Sequence, residues 1–223
     1  MKNDFSNIKA IFFDFDDTLG YREEYAYDTF YNLLKSCNLT KDAVEFETIL
    51  QDCMIWEEQG NIYKEHIVGM LKSKYNITLP CSNFEKWWNA EQWKVTVPFP
   101  DTIQTLDKLQ EKYELAIITN GDSTAQRKKI EHAGIKQYFS DDRIFVSGDF
   151  GYRKPDTRIF ENAMNALSVK PTESIYVGDI FANDVIGAYR AGMTPIWIWT
   201  HGPRKCTADI LKIDKISDLL RFL

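Results

Sequence analysis

The sequence predicts an α/β protein, with a Rossmann-like three-layer core built on a parallel sheet and an inserted α-helical cap domain. From residue 96 onward, short apolar segments alternate with helical patterns, as in parallel sheets with crossover helices. Residues 21–95 show helical periodicity alone. The apolar run at residues 8–13 ends in Asp14, Asp16 and Asp17, and open α/β sheets bind ligands at such strand ends.

The composition is that of a soluble globular protein, with 223 residues, 44% hydrophobic and 27% charged. The net charge of −6 argues against binding to a nucleic-acid polymer but allows a small anionic substrate. The four cysteines are scattered without metal-ligand spacing, which favours reduced thiols. We find no apolar stretch of membrane-spanning length and no leader pattern, so we expect a cytoplasmic enzyme or binding protein. Nothing in the sequence indicates the oligomeric state.

The first strand is predicted at residues 8–13, and it delivers the three carboxylates to a loop at its carboxyl end. Carboxylates this close repel one another, and their joint ionisation requires a nearby cation. The acid cluster therefore predicts a metal site.

The cap is predicted at residues 21–95, and the core at residues 1–20 and 96–223. Apolar stripes predict cap helices within 26–37, 44–56 and 63–75, and Phe84, Trp87 and Trp88 form a further short apolar face. Because the cap enters directly after the acid cluster, we expect it to act as a lid over whatever the acids bind.

The second part of the core is predicted to hold strands at residues 115–119, 144–147, 174–177 and 195–199. Asp101 and Gln104 resemble a capping box at the start of a helix. Asp122 or Ser123, and later Asp156, are expected to cap two further helices. The apolar pattern at residues 216–223 predicts a terminal helix.

Four motifs in this order resemble those of the haloacid dehalogenase-like hydrolase superfamily, and the cap lies where its helical-cap members carry theirs. The resemblance extends over nearly the whole chain, which makes it far more specific than any single motif. The motifs are DFDDTL at residues 14–19, ITNG at 118–121, KPD at 154–156, and VGD at 177–179 followed by ND at 183–184.

Asp14, at the very end of the strand, can attack phosphorus in line and form an aspartyl-phosphate. A role as metal ligand alone is the alternative from the residues, and the resemblance implies the nucleophile. Asp16 lies two residues on, close enough to protonate a leaving alcohol and then to deprotonate water. Asp17 is expected to be solvated or bonded within its loop.

Phosphate binding is assigned to Thr119, Asn120 and Lys154. Thr119 and Asn120 offer a hydroxyl and an amide at a strand end, although Thr-Asn-Gly is also a common strand-to-turn sequence. The resemblance implies phosphate binding at Thr119. It also favours a catalytic role for Lys154, whose charge can stabilise the phosphoryl oxygens and restrain Asp14, over a solvated surface lysine.

The metal ligands are predicted to be Asp14, the backbone carbonyl of Asp16, and Asp179. Ligation by oxygen alone suits Mg²⁺ better than zinc or copper. Asp184 is assigned to support, holding a metal-bound water or Lys154, with a charge at a helix N-terminus as the alternative.

The resemblance implies a Mg²⁺-dependent phosphomonoester hydrolase acting on a small phosphorylated metabolite, because the dehalogenases of this superfamily lack the acid at the position of Asp16. The Thr-Asn-Gly turn, the Gln126 region and residues 150–155 look most like the branch with pyrimidine 5′-nucleotidases, which makes a nucleoside monophosphate one candidate substrate. Tyr21, Arg22 and Tyr25, just after the acid loop, are predicted to face the substrate.

Two alternatives remain from the sequence. A sugar phosphomutase would form the same phosphoaspartate but would pass the phosphoryl group to a sugar. A non-catalytic, receiver-like module that binds phosphate and Mg²⁺ would also place acids, a threonine and a lysine at strand ends. The presence of Asp16 and of a large cap disfavours the receiver-like module, because signalling needs neither a leaving-group acid nor a lid.

Overall fold

The computed structural model describes residues 5–199 and 205–223 and confirms the predicted α/β class. The chain divides into two compact units, one formed by Met1–Tyr21 with Pro98–Leu223 and the other by Arg22–Val97. Among the described residues, no helix is both long and apolar enough to cross a membrane.

A six-stranded sheet, parallel throughout, forms the centre of the first unit. Its spatial order is β3-β2-β1-β4-β5-β6. The order reverses beside β1, so the loops that follow β1 and β4 enclose the crevice where ligands bind in open α/β sheets. The strands are β1 (Ala10–Phe13), β2 (Glu114–Thr119), β3 (Ile144–Val146), β4 (Ser174–Gly178), β5 (Thr194–Ile198) and β6 (Leu211–Ile213).

The two faces of the sheet are both covered, which explains why its strands are apolar without interruption. Ile11 and Phe13 of β1 belong to one buried cluster, while Ala10 and Phe12 belong to another on the opposite face. Phe13 pairs with Ile117 of β2 and with Val177 of β4. The residues that follow these three strands therefore emerge side by side at one edge.

The helical unit, Arg22–Val97, confirms the predicted insert and has an apolar core of its own, which includes Phe30, Leu33, Ile67 and Trp88. Its helices are α1 (Arg22–Ser36), α2 (Ala43–Trp56), α3 (Lys64–Tyr75) and α4 (Phe84–Glu91). The helices of the sheet unit are α5 (Thr102–Leu109), α6 (Ser123–His132), α7 (Ser147–Phe150), α8 (Thr157–Ala166) and α9 (Ile186–Arg190). A π-helical turn, Phe181–Val185, leads directly into α9.

Two of the three predicted helix caps are confirmed. The carboxylate of Asp122 accepts the N–H of Ala125 at 2.9 Å, and that of Asp156 accepts the N–H of Arg158 at 3.0 Å. The predicted capping box at Asp101 is wrong, because this carboxylate instead accepts the distant N–H of Ser217 at 3.0 Å.

The end of the chain also differs from the prediction. Leu211–Ile213 forms the edge strand β6, which was not predicted because three residues are too few to show a strand pattern. The predicted terminal helix is a 3₁₀ segment, Ile216–Arg221. The strand predicted at residues 195–199 runs from Thr194 to Ile198.

Ile117 tests the contribution of the sheet core to stability. Its side chain in β2 is fully buried, so Ile117→Ala should lower the free energy of unfolding by about 2–5 kcal/mol. Urea unfolding of the purified protein measures this change. Ile103→Ala is the matched control, because that side chain is 42% exposed and its loss should cost no more than about 0.5 kcal/mol. Equal losses in the two variants would contradict the assignment of Ile117 to the core.

Candidate active site

The carboxyl ends of β1 and β4 bring acidic residues together in the crevice of the sheet. One carboxylate oxygen each from Asp14, Asp179 and Asp184 lies within 4.8 Å of the others, and all three residues are buried. The N–H of Asp14 donates to the carbonyl of Val177 at 2.9 Å, which continues the β1–β4 pairing to the first acid. The position of Asp14 is thus fixed by the sheet itself.

Lys154 is buried among these acids. Its Nζ donates to Oδ1 of Asp14 at 2.6 Å, to Oδ1 of Asp184 at 2.6 Å and to the hydroxyl of Tyr176 at 2.8 Å. These acceptors use the three hydrogens of an ammonium group. Burial opposes the charge on Lys154, but Asp14 and Asp184 together raise its pKa above the ordinary value. The lysine is therefore held as a cation against Asp14.

Asp184 and Tyr176 accept hydrogen bonds from Lys154, and both have further partners of their own. The hydroxyl of Tyr176 lies 2.9 Å from the carbonyl of Ile118 and 3.0 Å from Oδ1 of Asp184. The other carboxylate oxygen of Asp184 accepts the N–H of Ile180 at 2.9 Å. With both oxygens engaged in this way, Asp184 is placed to hold Lys154 in position.

Gly178 permits the close approach of Asp184 to the end of β4. A Cβ atom at residue 178 would lie 2.5 Å from both Cβ and Cγ of Asp184, which is far inside contact distance. The glycine of the VGD motif is therefore required by packing against Asp184.

The acids are difficult to ionise together without a cation. Burial raises the pKa of Asp14 to about 7; Lys154 lowers it, and Asp184 and Asp16 add to the rise. Burial and then the charges of Asp184 and Asp14 raise the pKa of Asp179 well above its usual range. A compact set of oxygen donors whose charges repel fits Mg²⁺. The assignment of Asp14, Asp179 and the backbone carbonyl of Asp16 as its ligands stays a prediction.

Asp16 has a different environment from Asp14, although only one residue separates them. Its side chain is 18% exposed, and Nζ of Lys129 lies 2.7 Å from each of its carboxylate oxygens. The amide nitrogen of Gln126 donates to Oδ2 of Asp16 at 3.2 Å. The two neighbouring acids are thus paired with two different lysines.

Thr119 and Asn120 follow β2, and their side chains have distinct partners. The hydroxyl of Thr119 accepts from Nε2 of Gln126 at 2.5 Å, which leaves its own hydrogen to donate to an anion. The amide of Asn120 accepts the N–H of Lys154 at 2.9 Å and donates to the carbonyl of Lys154 at 3.2 Å. The side chain of Asn120 therefore holds the loop that carries Lys154, and its assignment to phosphate stays a prediction.

The backbone of Asp17 is bonded within its loop, and its side chain is buried. Its N–H donates to the carbonyl of Gly20 at 2.8 Å, and its φ of 53° lies in the left-handed region that aspartate tolerates better than most residues. The alternative of a solvated side chain is wrong, because Asp17 is only 3% exposed.

The three predicted substrate-facing residues have partners within their own units. The ring of Tyr21 packs on that of Phe99 at a centroid distance of 4.1 Å. In the helical unit, the guanidinium of Arg22 donates to the hydroxyl of Tyr25 and, at 2.5 Å, to Glu57. Arg22 and Tyr25 are both buried. Their assignment to the substrate stays a prediction.

Three site residues were not singled out individually for a role from the sequence, namely Gln126, Lys129 and Tyr176. Tyr176 lies inside an apolar strand, where the sequence predicts only that a tyrosine packs in the core. Gln126 and Lys129 lie three residues apart on α6 and are as buried as Ala125 and Ile130 beside them. Polar residues on the apolar face of a helix were the available signal.

Known proteins resemble this chain over most of its length. A family model described as haloacid dehalogenase-like hydrolase matches residues 11–198. The chain belongs to this family. The matched residues include every acid, threonine and lysine of the candidate site, and hydrolase family membership disfavours the non-catalytic, receiver-like alternative.

Among characterised relatives of this haloacid dehalogenase-like hydrolase, the glyceraldehyde 3-phosphate phosphatase of Methanothermobacter thermautotrophicus is 32% identical, over 97% of this chain and 100% of the relative. The pyrimidine 5′-nucleotidase YjjG of Escherichia coli is 27% identical, over 86% of each chain. The crystal structure of the hydrolase YfnB from Bacillus subtilis, bound to magnesium, has a TM-score of 0.78 and 21% identity, and it covers 96% of this chain and 97% of its own. This last likeness shows that the fold is shared.

The raised pKa of Asp14 predicts how stability and metal binding depend on pH. Its value is about 7 in the folded protein against 3.8 for the ordinary group, so the folded state holds the proton more tightly. The metal-free protein should therefore lose stability as pH rises from about 4 to about 7, by at most about 1.4 kcal/mol per pH unit for this group. Because Mg²⁺ needs the ionised form, it should raise the melting temperature more at pH 8 than at pH 5.

Melting curves with and without Mg²⁺ across this range measure both effects. Asp14→Asn should make the pH dependence shallower, because the amide does not titrate. Asp28→Asn, on an exposed position of α1, should leave it unchanged. An identical gain from Mg²⁺ at pH 5 and pH 8 in the unaltered protein would contradict the assignment.

Proposed function

We propose that this protein is a Mg²⁺-dependent phosphatase that hydrolyses the phosphomonoester of a small metabolite through an aspartyl-phosphate on Asp14. One observation carries the proposal, namely the pair of differently held acids at the end of β1. Asp14 is buried and bonded to Lys154 at 2.6 Å, while Asp16 is partly exposed and bonded to Lys129. A buried, fixed carboxylate suits a nucleophile, and a partly exposed one beside it can exchange protons with water.

Asp14 is the nucleophile. One of its carboxylate oxygens attacks phosphorus as the bond from phosphorus to the ester oxygen breaks, which leaves the phosphoryl group on Asp14. Water then attacks the same phosphorus, the bond to Asp14 breaks, and inorganic phosphate leaves. Lys154 donates to Oδ1 of Asp14 and thereby restrains the direction from which the other carboxylate oxygen attacks.

Asp16 carries the proton in both steps. It protonates the oxygen of the departing alcohol, and the resulting carboxylate then takes a proton from the attacking water. Proton transfer of this kind contributes roughly 10²–10⁴-fold to a rate. It matters most for alkyl phosphates, whose alcohols leave poorly without a proton.

Lys154 acts on the phosphoryl oxygens through its charge, because its three hydrogens are already donated, whereas Thr119 can bind a phosphoryl oxygen directly. Lys154 supplies positive charge, and the hydroxyl of Thr119 has a hydrogen to donate because Gln126 donates to its oxygen. Mg²⁺, when bound by Asp14 and Asp179, would neutralise charge on the phosphoryl group and orient it for in-line attack. Asn120 and Asp184 act by fixing Lys154 from its backbone and from its ammonium group.

For the substrate, we propose a three-carbon sugar phosphate of the glyceraldehyde 3-phosphate type. Support comes from the phosphatase relative named for that compound, to which this chain aligns over almost its whole length. A nucleoside monophosphate is the second candidate, because the pyrimidine 5′-nucleotidase also aligns over most of the chain.

Asp14→Asn tests the mechanism. The variant should release phosphate at least about 10³-fold more slowly than the unaltered enzyme, because the amide oxygen is a poor nucleophile. The measurement is phosphate release from p-nitrophenyl phosphate with and without Mg²⁺. Asp28→Asn should retain full activity because residue 28 is exposed on α1. An Asp14→Asn variant with full activity would overturn the proposal.

The substrate class requires a separate screen of glyceraldehyde 3-phosphate, nucleoside monophosphates and hexose phosphates. The highest kcat/KM should be found for the triose phosphate. Slow net phosphate release that depends on a bisphosphorylated sugar would instead identify a phosphomutase.

A further inference from the structure

Helix α6 directs two polar side chains at the loop after β1. Gln126 and Lys129 lie three residues apart, and thus on one face of the helix. Both are almost fully buried, at 2% and 1% exposure. Their polar atoms meet the carboxylate of Asp16, which comes from a different part of the chain.

Burying a lysine lowers the stability of the fold unless its charge is paired. The charge of Lys129 is paired with both carboxylate oxygens of Asp16. Nζ of Lys129 is 2.7 Å from Oδ1 and 2.7 Å from Oδ2 of Asp16, and it lies 5.5 Å from the centroid of the Phe15 ring. Removing one member of such a pair leaves an uncompensated charge. The contact from Gln126 to Oδ2 of Asp16 adds a second point, which restrains rotation of the carboxylate.

Gln126 connects this pair to the phosphate-binding end of β2. Its Nε2 lies 2.5 Å from the hydroxyl of Thr119, 3.2 Å from Asp16 and 3.3 Å from the carbonyl of Asn120. One helix face therefore holds both the proton carrier and the proposed phosphate-binding hydroxyl.

We propose that Lys129 is the positioning residue for Asp16 and that, with Gln126 beside it, it sets the orientation from which Asp16 protonates the leaving alcohol. Lys129 does not contact the reacting atoms. Its effect is exerted through Asp16 alone. This inference rests on the proposed phosphatase function, in which Asp16 gives its proton as the bond from phosphorus to the ester oxygen breaks.

The inference predicts an effect that depends on the leaving group. An alkyl phosphate needs a proton on its departing oxygen, whereas p-nitrophenolate leaves readily without one. Because kcat/KM covers the steps up to departure of the leaving group, it excludes the later hydrolysis of the aspartyl-phosphate, which is common to both esters. The ratio of kcat/KM for the two esters therefore reports on protonation by Asp16.

The experiment compares Lys129→Met and Lys129→Arg with the unaltered enzyme, using p-nitrophenyl phosphate and the best alkyl phosphate from the substrate screen. Lys129→Met should lower kcat/KM for the alkyl ester by about 100-fold, and for the aryl ester by less than about tenfold. Lys129→Arg, whose planar guanidinium can also contact both oxygens, should restore most of the alkyl activity. Lys128→Met is the matched control, because residue 128 is exposed on the same helix and its loss should change neither ester.

A second comparison separates positioning from a general loss of structure. In an Asp16→Asn background, Lys129→Met should cause no further fall in kcat/KM for the alkyl ester, because the group through which Lys129 acts is already absent. Melting temperatures identify any variant that is unfolded under the assay conditions, and Lys129→Gln replaces Lys129→Met if the methionine variant does not fold.

Two results would overturn the inference. One is an equal loss for both esters, and the other is the same loss in the Asp16→Asn background as in the unaltered enzyme. Neither can be confused with a failure of the proposed function, in which the unaltered enzyme would release no phosphate from any ester.

Discussion

The structure of the site depends on one buried ion pair, that between Lys154 and Asp14. Lys154 lies in the loop before α8, its backbone is bonded to Asn120 after β2, and its ammonium group reaches Asp14 at the end of β1, where Asp184 and Tyr176 also hold it. Asp184 and Tyr176 are each held in place by a neighbouring residue. Gly178 lets Asp184 approach the strand, and the carbonyl of Ile118 lies within hydrogen-bonding distance of the tyrosine hydroxyl. A cation this deeply buried must be surrounded by acceptors, and that requirement explains why residues from three strand ends converge here.

The fold and the positions of the acids could be predicted because they depend on local patterns. Apolar strands, a helical insert and acids at strand ends are all visible along the chain, and parallel pairing brings those ends to one edge. Helix caps at Asp122 and Asp156 were predictable for the same reason, since the cap and its partner lie within a few residues. Asp101 resembled them but bonds to Ser217, and a contact between residues this far apart along the chain leaves no trace in a local pattern.

The partners of the acids could not be predicted, because each of them comes from a distant element. Lys129 is separated from Asp16 by more than a hundred residues, and on sequence alone a lysine reads as an exposed charge. Tyr176 lies in the middle of a buried strand, where nothing distinguishes its hydroxyl from the rest of the core. The sequence therefore indicates which residues carry chemistry more readily than it indicates what holds them.

The partners of the acids change where the structure needs a further cation. Asp16 is paired with Lys129, so its charge is balanced by a partner, whereas the charge of the buried Asp17 helps to raise the pKa of Asp179. The stronger case comes from Asp14, Asp179 and Asp184, which lie on different segments but meet within 4.8 Å. Lys154 can balance only one of these charges, so joint ionisation of the three acids needs a further cation. Burial, and then repulsion from the neighbouring acids, raises the pKa values of Asp14 and Asp179, so without a further cation the site favours keeping protons on these acids.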